Sequence, residues 1–445
     1  MQWILPPGAV FDFEGAGGPV EVVRGLGGGS QGQVYEVEVG GERLALKWFL
    51  PACIARDRTL ERRLGDCIRT TAPSEDFLWP LALLHPTPAC TARLRIRSPG
   101  FGYLMELRPE AYVGAHEHLA GRLSISLRNV LRAGFFLADA FGALHLRGLC
   151  YRDVSIGNLF LEPGSGRILV CDNDNVGVNG QDPGGVLGTP GFMAPEVLLQ
   201  QARPGTASDL FSLAVLLFRL LTRHDPLRGQ MELAIHCLDE PARRRLYGED
   251  PVFLFDPRDS RNRPDPIEHA AVLVTWPIYP RALQALFEQA FCAGLRDPGR
   301  RVRTGQWRSA LARCLDARRL CPACGQEIFT EPAADGTGVC WSCGSPVPAG
   351  LRLQTPAGPV HAAAENEIHP HHVDPRRPED LRTPLARVEA HPREPSLLGL
   401  RNLSPHRWSV ELTSGARVSL EPGRTCNLTA AVRIHAPDVP IAVLR

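Results

Sequence analysis

The sequence predicts an α+β protein of several domains, and three observations support this class. Segments that alternate apolar and polar residues, as half-buried strands do, fill much of residues 1–110. Long apolar segments typical of buried helices occupy 124–148 and most of 207–319. Short alternating segments return between Leu398 and Arg445. Runs of strands followed by runs of helices are typical of the α+β class.

Length and composition indicate a globular chain. Its 445 residues are enough for about two to four domains. A hydrophobic content of 44% and a charged content of 22% are ordinary for such proteins. The net charge of +1 offers no electrostatic basis for binding nucleic acid or an anionic membrane. The first residues do not resemble a signal peptide, and the longest apolar run, Leu210 to Leu221, is too short to span a bilayer. We therefore expect neither a nucleic-acid nor a membrane partner.

The cysteines predict a reducing compartment. Four of the 13 form two C-x-x-C pairs, and the other nine are scattered singly. Such a scatter suits a reducing cytosol better than a framework of disulfides. We therefore expect a cytoplasmic protein.

Lys47 is the first candidate functional residue, because it is the only lysine among 49 basic residues. Arg carries its charge on a wide planar fork, whereas Lys is a compact point charge on a flexible stem. A chain that otherwise uses Arg would need Lys where one small cation must meet a phosphate. Apolar residues on both sides of Lys47 argue against an ordinary surface position. We therefore take Lys47 as a candidate phosphate-binding residue.

A glycine-rich stretch precedes Lys47, with Gly27, Gly29 and Gly32 at G-x-G-x-x-G spacing. In a dinucleotide-binding fold this spacing opens a helix. Here a strand pattern follows instead, then a Gly-Gly hairpin signal, and then a further strand pattern that contains Lys47. The order predicts a loop at a hairpin tip, where bare backbone N–H groups can contact phosphate oxygens.

A second group of candidates lies in the helix-rich half of the chain. Asp153 and Asn158 have D-x-x-x-x-N spacing, and Asp172 follows a short apolar strand pattern. A carboxylate at the end of a strand can bridge Mg²⁺ to phosphate oxygens, and an amide oxygen can add a second ligand. These residue types therefore predict a metal-assisted phosphate site, with Asp153 as a candidate base.

A compact cysteine unit comes next. Cys321 and Cys324 form one C-x-x-C pair, Cys340 and Cys343 form the other, and 15 residues separate the pairs. This spacing is that of a four-cysteine zinc site. Two redox pairs or unliganded core cysteines are the alternatives. Four thiolates would fill the coordination sphere of zinc, so we expect a structural metal.

A short His-rich tract contains His369, His371 and His372. A metal site is one interpretation, but no ligand spacing supports it. We favour a polar linker over residues 348–395, because such tracts are only compositional signals.

Taken in order, these motifs resemble the eukaryotic-type protein kinase domain. The resemblance rests on the glycine loop, Lys47, the run YRDVSIGN at 151–158, Asp172 and the run GTPGFMAPE at 188–196. It covers residues of about 10–315. It implies a bilobal fold, with an N-lobe over 1–109 and a C-lobe over 110–318, and it implies ATP and Mg²⁺ as ligands.

The resemblance also implies a role for each candidate. Asp153 would accept the proton of a protein hydroxyl, Lys47 would hold the α- and β-phosphates, and Asn158 with Asp172 would hold Mg²⁺. The implied ATP contacts are Gly27, Gly29, Gly32, Val34, Ala45, Lys47, the gatekeeper Met105, and the hinge residues Glu106 and Leu107.

Structural partners are implied as well. Glu196 would pair with Arg301, and Asp209 would brace the catalytic loop. Glu61 would be the helix partner of Lys47, with Asp66 as the alternative.

Three departures from the kinase pattern stand out. Tyr151 replaces a histidine, which keeps an aromatic ring. Ser155 replaces a basic residue near the transferring phosphoryl group, a pattern similar to that of RIO-like kinases. Asn173-Asp174 replaces Phe-Gly after the metal-binding aspartate.

The activation loop carries no obvious phosphorylation site. Between Asp172 and Gly188 there is no Ser, Thr or Tyr. Arg152 therefore has no phosphorylated side chain in this loop to bind, although the resemblance would imply one. We expect Asp174 or Asp182 to supply a fixed anion instead.

Several local runs are similar to one group of bacterial Ser/Thr kinases. They include FLWP at 77–80, CDNDNV at 171–176, PVFLFDP at 251–257 and WPIYP at 276–280. These kinases are encoded beside a von Willebrand A-domain protein and a PP2C-type phosphatase, the TerY–phosphatase–kinase triad. The resemblance implies Ser/Thr kinase activity opposed by the phosphatase, with the A-domain protein as partner or substrate.

The chain would then continue beyond the kinase domain with a zinc ribbon over 319–347, the linker over 348–395 and a small β-sandwich-like interaction domain over 396–445. Two other functions stay open. One is an ATP-binding pseudokinase scaffold, which Ser155 and Asn173-Asp174 favour. The other is a RIO-like ATPase switch, which shares the Ser155 pattern.

Overall fold

The structure is a computed structural model that describes residues 3–29, 31–94, 100–181, 187–330, 337–436 and 439–444. The chain forms two compact units. The first comprises Met1–Ser124, Phe136–Glu268 and Glu288–Thr304, and the second comprises Ile125–Phe135, His269–Phe287 and Gly305–Arg445.

The described strands of the first unit are β1 (Val10–Phe11), β2 (Phe13–Glu14), β3 (Val20–Gly28), β4 (Gly32–Val39), β5 (Glu42–Phe49), β6 (Pro80–Pro86), β7 (Gly102–Glu106), β8 (Val113–Gly114), β9 (Leu149–Cys150), β10 (Leu159–Leu161), β11 (Ile168–Val170) and β12 (Gly177–Val178). Seven of them form one sheet in the order β1-β3-β4-β5-β7-β6-β2. Strands β11-β10-β8 form a small sheet, and β12 pairs with β9.

The described helices of the whole chain are α1 (Pro51–Arg56), α2 (Leu60–Thr70), α3 (Pro88–Leu94), α4 (Ala115–Leu119), α5 (Leu127–Leu146), α6 (Pro195–Leu198), α7 (Thr206–Thr222), α8 (Gln230–Leu233), α9 (Glu240–Arg244), α10 (Ala270–Thr275), α11 (Arg281–Glu288), α12 (Gly294–Arg296), α13 (Thr304–Asp316) and α14 (Pro370–Val373). Single 3₁₀ or π turns cover Ile156–Asn158, Asn173–Asn175, Arg245–Glu249, Trp276–Ile278, Gln289–Ala293 and Pro298–Arg300. None of the helices in the described ranges is long and apolar enough to cross a membrane.

The strands that carry the candidate residues arise from local signals. Gly40 and Gly41 both have positive φ, as the two-residue turn between β4 and β5 requires. Strand β5 pairs with β4 on one side and β7 on the other, with Lys47 opposite Val34 and Tyr103. The predicted strand that contains Lys47 is confirmed as β5, and the predicted helix over 124–148 is confirmed as α5, which begins three residues later and ends two residues earlier.

The described strands of the second unit are β13 (Arg318–Leu320), β14 (Glu327–Phe329), β15 (Gly338–Val339), β16 (Pro346–Val347), β17 (Arg352–Thr355), β18 (Gly358–His361), β19 (Glu367–Ile368), β20 (Ala386–His391), β21 (Glu394–Asn402), β22 (Trp408–Leu412), β23 (Arg417–Leu420), β24 (Thr425–Asn427), β25 (Ala431–Ala436) and β26 (Val439–Leu444). Two hairpins, β13-β14 and β15-β16, precede a six-stranded sheet, β18-β17-β26-β25-β22-β23, and a four-stranded sheet, β19-β20-β21-β24. Residues of both sheets share one hydrophobic core around Trp408, Val410 and Leu400.

The prediction of a linker over 348–395 is wrong. Strands β17 to β20 and helix α14 lie in this segment, and β17 pairs with the C-terminal strand β26. The three histidines of the tract are buried. Burial of such polar residues is possible because they have partners: the backbone N–H of His369 donates to Nδ1 of His372, whose Nε2 lies 3.1 Å from Asp316.

Candidate active site

A cleft of about 680 Å³ opens in the first unit. This volume lies within the range of small-molecule sites, about 300–1,000 Å³. Among its lining residues are all the predicted ATP contacts and both predicted Mg²⁺ ligands: Gly27, Gly29, Gly32, Val34, Ala45, Lys47, Met105, Glu106, Leu107, Asn158 and Asp172. The structure therefore brings together residues that the chain separates by more than a hundred positions.

Strand alternation directs Lys47 toward this cleft. Successive side chains of a strand point to opposite faces. Ala45 and Phe49 of β5 belong to one hydrophobic cluster and Leu46 and Trp48 to another, so Lys47 shares the face of Ala45. The side chain of Lys47 is only 7% exposed. A buried ammonium needs compensating partners.

Two carboxylates provide them. Nζ of Lys47 donates to Oδ1 of Asp172 and, over 2.7 Å, to Oδ2 of Asp174. A weaker contact of 3.3 Å joins it to Oε1 of Gln31. Burial alone would lower the pKa of Lys47, but the charges of Asp174 and Asp172 outweigh it and hold that pKa well above its usual value. Lys47 is therefore a fixed cation at the edge of the cleft.

Asp172 holds a constrained position at the end of β11. Its φ of 60° and ψ of 49° lie in the left-handed region, which Asp and Asn tolerate better than most residues. Its side chain is 29% exposed, whereas that of Asp174 is 2% exposed. Asp172 lines the cleft, so its carboxylate is the one that a bound metal can reach.

The prediction that Glu61 pairs with Lys47 is wrong, and so is the alternative, Asp66. The Glu61 side chain is 55% exposed and lies 3.5 Å from His85, and Asp66 pairs with Arg69. The buried face of α2 consists of Leu60, Arg63, Leu64 and Cys67. Their spacing of three or four residues turns Glu61 away from that face. The same spacing, visible in the sequence, was the signal that could have excluded Glu61.

Asp153, the predicted base, lies on the loop between β9 and the turn Ile156–Asn158. Its Oδ1 accepts a hydrogen bond from the Thr189 hydroxyl at 2.7 Å, and its Oδ2 accepts one from Nδ2 of Asn175 at 3.1 Å. Nδ2 of Asn158 donates to the backbone carbonyl of Asp153 at 3.0 Å. The carbonyl oxygen of the Asn158 amide is thus left as the candidate metal ligand.

Asp209 braces the same loop, as the resemblance implied. Its carboxylate oxygens accept the backbone N–H groups of Tyr151 at 2.7 Å and Arg152 at 2.9 Å. His145 lies 3.1 Å from Asp209. Tyr151 in turn donates its hydroxyl to the carbonyl of Cys171. These bonds tie the loop that carries Asp153 to the strand end that carries Asp172.

The implied ion pair between Glu196 and Arg301 is also present. Two parallel bonds of 2.8 and 2.7 Å join the guanidinium to the carboxylate. Arg301 donates further to the carbonyls of Ala207 and Gly294. Arg301 is buried and Glu196 is partly buried, and neither residue lines the cleft.

Arg152 does not bind a carboxylate among the described residues. Its Nη2 donates to the carbonyls of Val178 at 3.0 Å and Gln181 at 3.4 Å, and its Nε lies 3.3 Å from Sγ of Cys150. The expectation that Asp174 serves Arg152 is wrong, because the Asp174 carboxylate bonds Lys47. Asp182, the other candidate, lies outside the described residues.

The glycines of the loop differ in what requires them. A Cβ at Gly32 would lie 2.5 Å from the carbonyl oxygen of Trp48, so the fold itself demands glycine there. A Cβ at Gly27 or Gly29 would meet no protein atom within 4 Å, and neither residue needs a positive φ. Protein packing does not explain these two glycines, and the bare backbone there leaves room for a ligand to approach.

The four cysteines of the predicted metal unit lie together in the second unit. Sγ of Cys321 is 3.7 Å from that of Cys343, and Sγ of Cys324 is 3.7 Å from that of Cys340. All four sulfurs lie within 4.8 Å of one another. A tetrahedral ion with Zn–S bonds of about 2.3 Å separates its sulfurs by about 3.8 Å, so the donor set fits Zn²⁺. Within the described part of the chain, no other group of three or more His, Cys, Asp or Glu is arranged for a metal.

Several residues of the site were not predicted from the sequence. Gln31, Tyr103 and Phe160 line the cleft, and Asp174 and Asn175 bond Lys47 and Asp153. Asp174 belongs to the departure from the kinase pattern, and Asn175 follows it in the run CDNDNV. Nothing in the sequence indicated which residues they would bond.

A family model describes part of this region. Residues 110–261 match the model of the protein kinase domain. The match includes Asp153, Asn158, Asp172 and Asp209 and leaves out the sheet that carries Lys47. It agrees with the mixed α and β content of the first unit.

Known protein kinases are similar to parts of the chain that range from 138 to 238 residues. CBL-interacting protein kinase 4 of Oryza sativa subsp. japonica is 30% identical over 238 residues, which are 52% of this chain and 49% of that protein. Protein kinase C of Aspergillus fumigatus is 36% identical over 138 residues, 29% of this chain and 12% of that protein. Serine/threonine-protein kinase sck2 of Schizosaccharomyces pombe is 28% identical over 220 residues, 45% of this chain and 30% of that protein. The chain thus spans about half of the first relative and smaller shares of the other two.

Proposed function

We propose that the chain is an ATP-dependent protein Ser/Thr kinase. The observation that carries this proposal is the ion pair of Lys47 with Asp172 at the edge of a cleft that also holds Asn158 and the glycine loop. A fixed cation and metal-binding oxygens beside one cleft are the parts that phosphoryl transfer requires. The match to the protein kinase domain and the similarity to known Ser/Thr kinases support the same class of activity.

The cleft offers separate surfaces to the two ends of ATP. Ala45, Met105 and Leu107 provide apolar contact for an adenine ring, and the backbone of Glu106 and Leu107 offers hydrogen-bonding groups at its edge. Gly27 and Gly29 leave room for phosphates to approach the backbone, and Lys47 supplies the positive charge.

Asn158 and Asp172 are the residues that would hold Mg²⁺. Both offer oxygen donors, which Mg²⁺ prefers, and both line the cleft. When bound, the metal neutralises charge on the phosphates.

Asp153 would orient the hydroxyl of a Ser or Thr side chain and accept its proton. The hydroxyl oxygen forms a bond to the γ-phosphorus while the bond from that phosphorus to the β–γ bridging oxygen breaks, and ADP leaves. Thr189 and Asn175 fix the orientation of the Asp153 carboxylate before the substrate arrives. Catalysis of this kind consists of positioning and charge neutralisation.

Labelling with radioactive Mg-ATP tests the proposal. We would incubate the wild type, Asp153→Asn and Lys47→Met with a generic basic protein. Loss of a positioned base costs about a hundredfold or more in rate, and loss of the Lys47 charge removes electrostatic stabilisation of the phosphates. We therefore expect both variants to lose Ser/Thr labelling.

The other outcomes identify the alternatives. Nucleotide binding without transfer in the wild type would indicate the pseudokinase scaffold, for which the two hydrogen bonds that Asp153 already accepts would be the structural reason. Release of free phosphate with no labelled protein would indicate the RIO-like ATPase switch.

We also propose a structural Zn²⁺ at Cys321, Cys324, Cys340 and Cys343, within a zinc ribbon. Gly325 and Gly344 have positive φ and close the two turns that present the thiolates. Metal analysis should find one zinc per chain in the wild type and none in Cys324→Ser. Cys237→Ser removes an exposed cysteine outside the cluster and should leave the zinc in place. Equal zinc in both variants would contradict the assignment.

The wider setting is a proposal that rests on the sequence runs quoted above. We propose a bacterial kinase of the TerY–phosphatase–kinase triad, with a von Willebrand A-domain protein as partner or substrate and a PP2C-type phosphatase as its opponent. The nine cysteines outside the metal unit are scattered singly along the sequence, which supports a reducing cytoplasm as its location. The C-terminal sheets would form an interaction domain. Retention of the A-domain protein by the purified chain, tested with and without residues beyond 347, would check this assignment.

A further inference from the structure

The turn Asn173–Asn175 lies directly after Asp172 and departs from the Phe-Gly of the kinase pattern. Its side chains bond both Lys47 and Asp153. All three side chains are buried. Each bonds a different element: Asn173 a backbone carbonyl, Asp174 the ammonium of Lys47, and Asn175 the carboxylate of Asp153. Asp174 and Asn175 thus contact the candidate phosphate-binding residue Lys47 and the candidate base Asp153, and Asn173 bonds the surrounding backbone.

Asn173 anchors the turn. Its Nδ2 donates to the carbonyl of Leu78 at 2.7 Å and to that of Val170 at 3.3 Å. These carbonyls belong to the segment before β6 and to the end of β11. Because the amide bridges two segments, the turn has little freedom to rotate.

Asp174 takes the role that a helix carboxylate was expected to fill. Its Oδ2 is 2.7 Å from Nζ of Lys47, and the acidic residues of α2, Glu61 and Asp66, lie elsewhere. Helix α2 contacts the turn through Arg63, whose Nη2 donates to the backbone carbonyl of Asp174 at 3.3 Å. Helix α2 therefore supports the turn, and the turn holds Lys47.

Asp174 is unsuited to hold the metal itself. Its side chain is 2% exposed and is not part of the cleft wall, whereas Asp172 is exposed to the cleft. One Asp174 oxygen already accepts from Lys47. The two carboxylates on Lys47 thus have different environments and can have different roles.

Asn175 donates a hydrogen bond to the Asp153 carboxylate. Ser155 has replaced the basic residue expected beside Asp153, and the donors that reach the Asp153 carboxylate are the Asn175 amide and the Thr189 hydroxyl. A neutral donor fixes the orientation of a carboxylate without adding charge.

We propose that Asp174 and Asn175 are positioning residues: Asp174 fixes Lys47 independently of any acidic residue of helix α2, and Asn175 orients Asp153. This inference rests on the proposed kinase function. Its consequence is regulatory, because movement of a helix carboxylate cannot switch the Lys47 anchor in this chain. Lys47 is instead anchored by Asp172 itself and by Asp174, two positions later.

Calorimetric titration with Mg-ATP tests Asp174 without requiring turnover. We expect Asp174→Asn to weaken binding about tenfold, the usual effect of losing one charged hydrogen bond. In a Lys47→Met background the same substitution should change affinity less than about twofold, because residues that act through one another are not additive. Glu61→Gln is the matched control and should bind as the wild type does.

Steady-state kinetics test Asn175. Asn175→Ala should lower kcat about tenfold or more, because small misplacements of catalytic groups are costly, while KM for ATP stays within about twofold of the wild type. A merely structural role would lower the melting temperature and disturb both constants together.

The outcomes separate this inference from the proposed function. If the wild type binds Mg-ATP but labels no protein, kinase activity fails and the role of Asn175 in orienting a base fails with it, while the titrations still test Asp174. If Glu61→Gln weakens binding as much as Asp174→Asn, or if Asp174→Asn adds its full effect to Lys47→Met, the role of Asp174 is overturned. An unchanged kcat in Asn175→Ala overturns the role of Asn175.

Discussion

Two buried charge clusters, one in each unit, are built with opposite balances. In the first unit, one ammonium, Lys47, meets the carboxylates of Asp172 and Asp174. In the second unit, one carboxylate, Glu367, meets several cations: its oxygens lie 3.1 Å from Arg128, 2.8 Å from Arg132 and 2.8 Å from Arg387. His369 approaches the same carboxylate at 3.5 Å.

The balance of charge distinguishes a ligand-binding cluster from a cluster that stabilises the fold. The Lys47 cluster has an excess carboxylate, and one of its members, Asp172, is exposed to the cleft, so a further cation can complete it. The Glu367 cluster is closed, with a carboxylate side chain that is 5% exposed and saturated by donors. A buried group that is fully satisfied contributes to stability, whereas an incomplete cluster at a cleft is suited to binding. Neutralising a carboxylate should therefore cost stability in one cluster and ligand affinity in the other.

The largest effect is expected from Glu367→Gln. It leaves buried guanidinium groups without their counter-charge, and breaking such a cluster costs about 3–5 kcal/mol. Denaturant unfolding would measure the loss in the free energy of unfolding. Glu389→Gln is the control, because Glu389 pairs with Arg401 at the surface over 3.4 Å and such pairs contribute less than about 1 kcal/mol. Equal losses in the two variants would contradict the distinction.

A pH effect of intermediate size should come from the histidines of the second unit. Burial and the neighbouring His372 lower the pKa of His371 from 6.5 to about 4. Between these values the unfolded chain binds the proton and the folded chain does not, so stability is lost as the pH falls from about 6.5 to about 4. His369, Asp316 and Glu379 are the other charged or titratable groups that influence His371.

Calorimetry at several pH values between 4.5 and 7 would detect this as a fall in the melting temperature of a few degrees, roughly what a change of 1 kcal/mol causes. His371→Asn should remove part of the fall, and His116→Asn, at an exposed position, should not.

Glu367 affects stability in a lower range of pH. Burial raises its pKa, but the hydrogen bond from His369 and the charges of Arg132 and Arg128 outweigh this and hold it at about 2. Its contribution is therefore lost only below about pH 4.5.

The smallest change in stability is expected from Asp174→Asn. Lys47 keeps Asp172 and Gln31 as partners, so the free energy of unfolding should fall by less than about 1.5 kcal/mol. Denaturant unfolding beside Glu367→Gln measures the contrast directly. If Asp174→Asn lowered the free energy of unfolding as much as Glu367→Gln does, both clusters would serve to stabilise the fold, and the distinction between them would fail.

Local signals in the sequence were enough to locate the candidate residues. Gly40-Gly41 marks the hairpin that places Lys47 on β5, and the apolar run before Asp172 marks β11. These patterns depend on residues within a few positions of one another, so they can be read without the fold. The four cysteines could also be located from local sequence, because the spacing within each pair requires a tight turn.

The partners of these residues could not be predicted in the same way. Lys47 bonds Asp174, which is 127 positions away. The spacing within α2 could have excluded Glu61, but no local pattern indicates Asp174 as the partner. The His-rich tract suggested a linker, but Glu367 lies beside it and pairs with Arg128 and Arg132 from helix α5. Polar composition predicts exposure only when such distant counter-charges are absent.

The solitary status of Lys47 has a practical consequence for spectroscopy. Because no other lysine occurs in the 445 residues, protein labelled isotopically at lysine would give one side-chain amine signal in solution NMR. That amine lies between Asp172 and Asp174 at the edge of the cleft, so its chemical shift would respond to nucleotide and to metal without any engineered probe. The composition of this chain thus provides a single-atom reporter at its candidate active site.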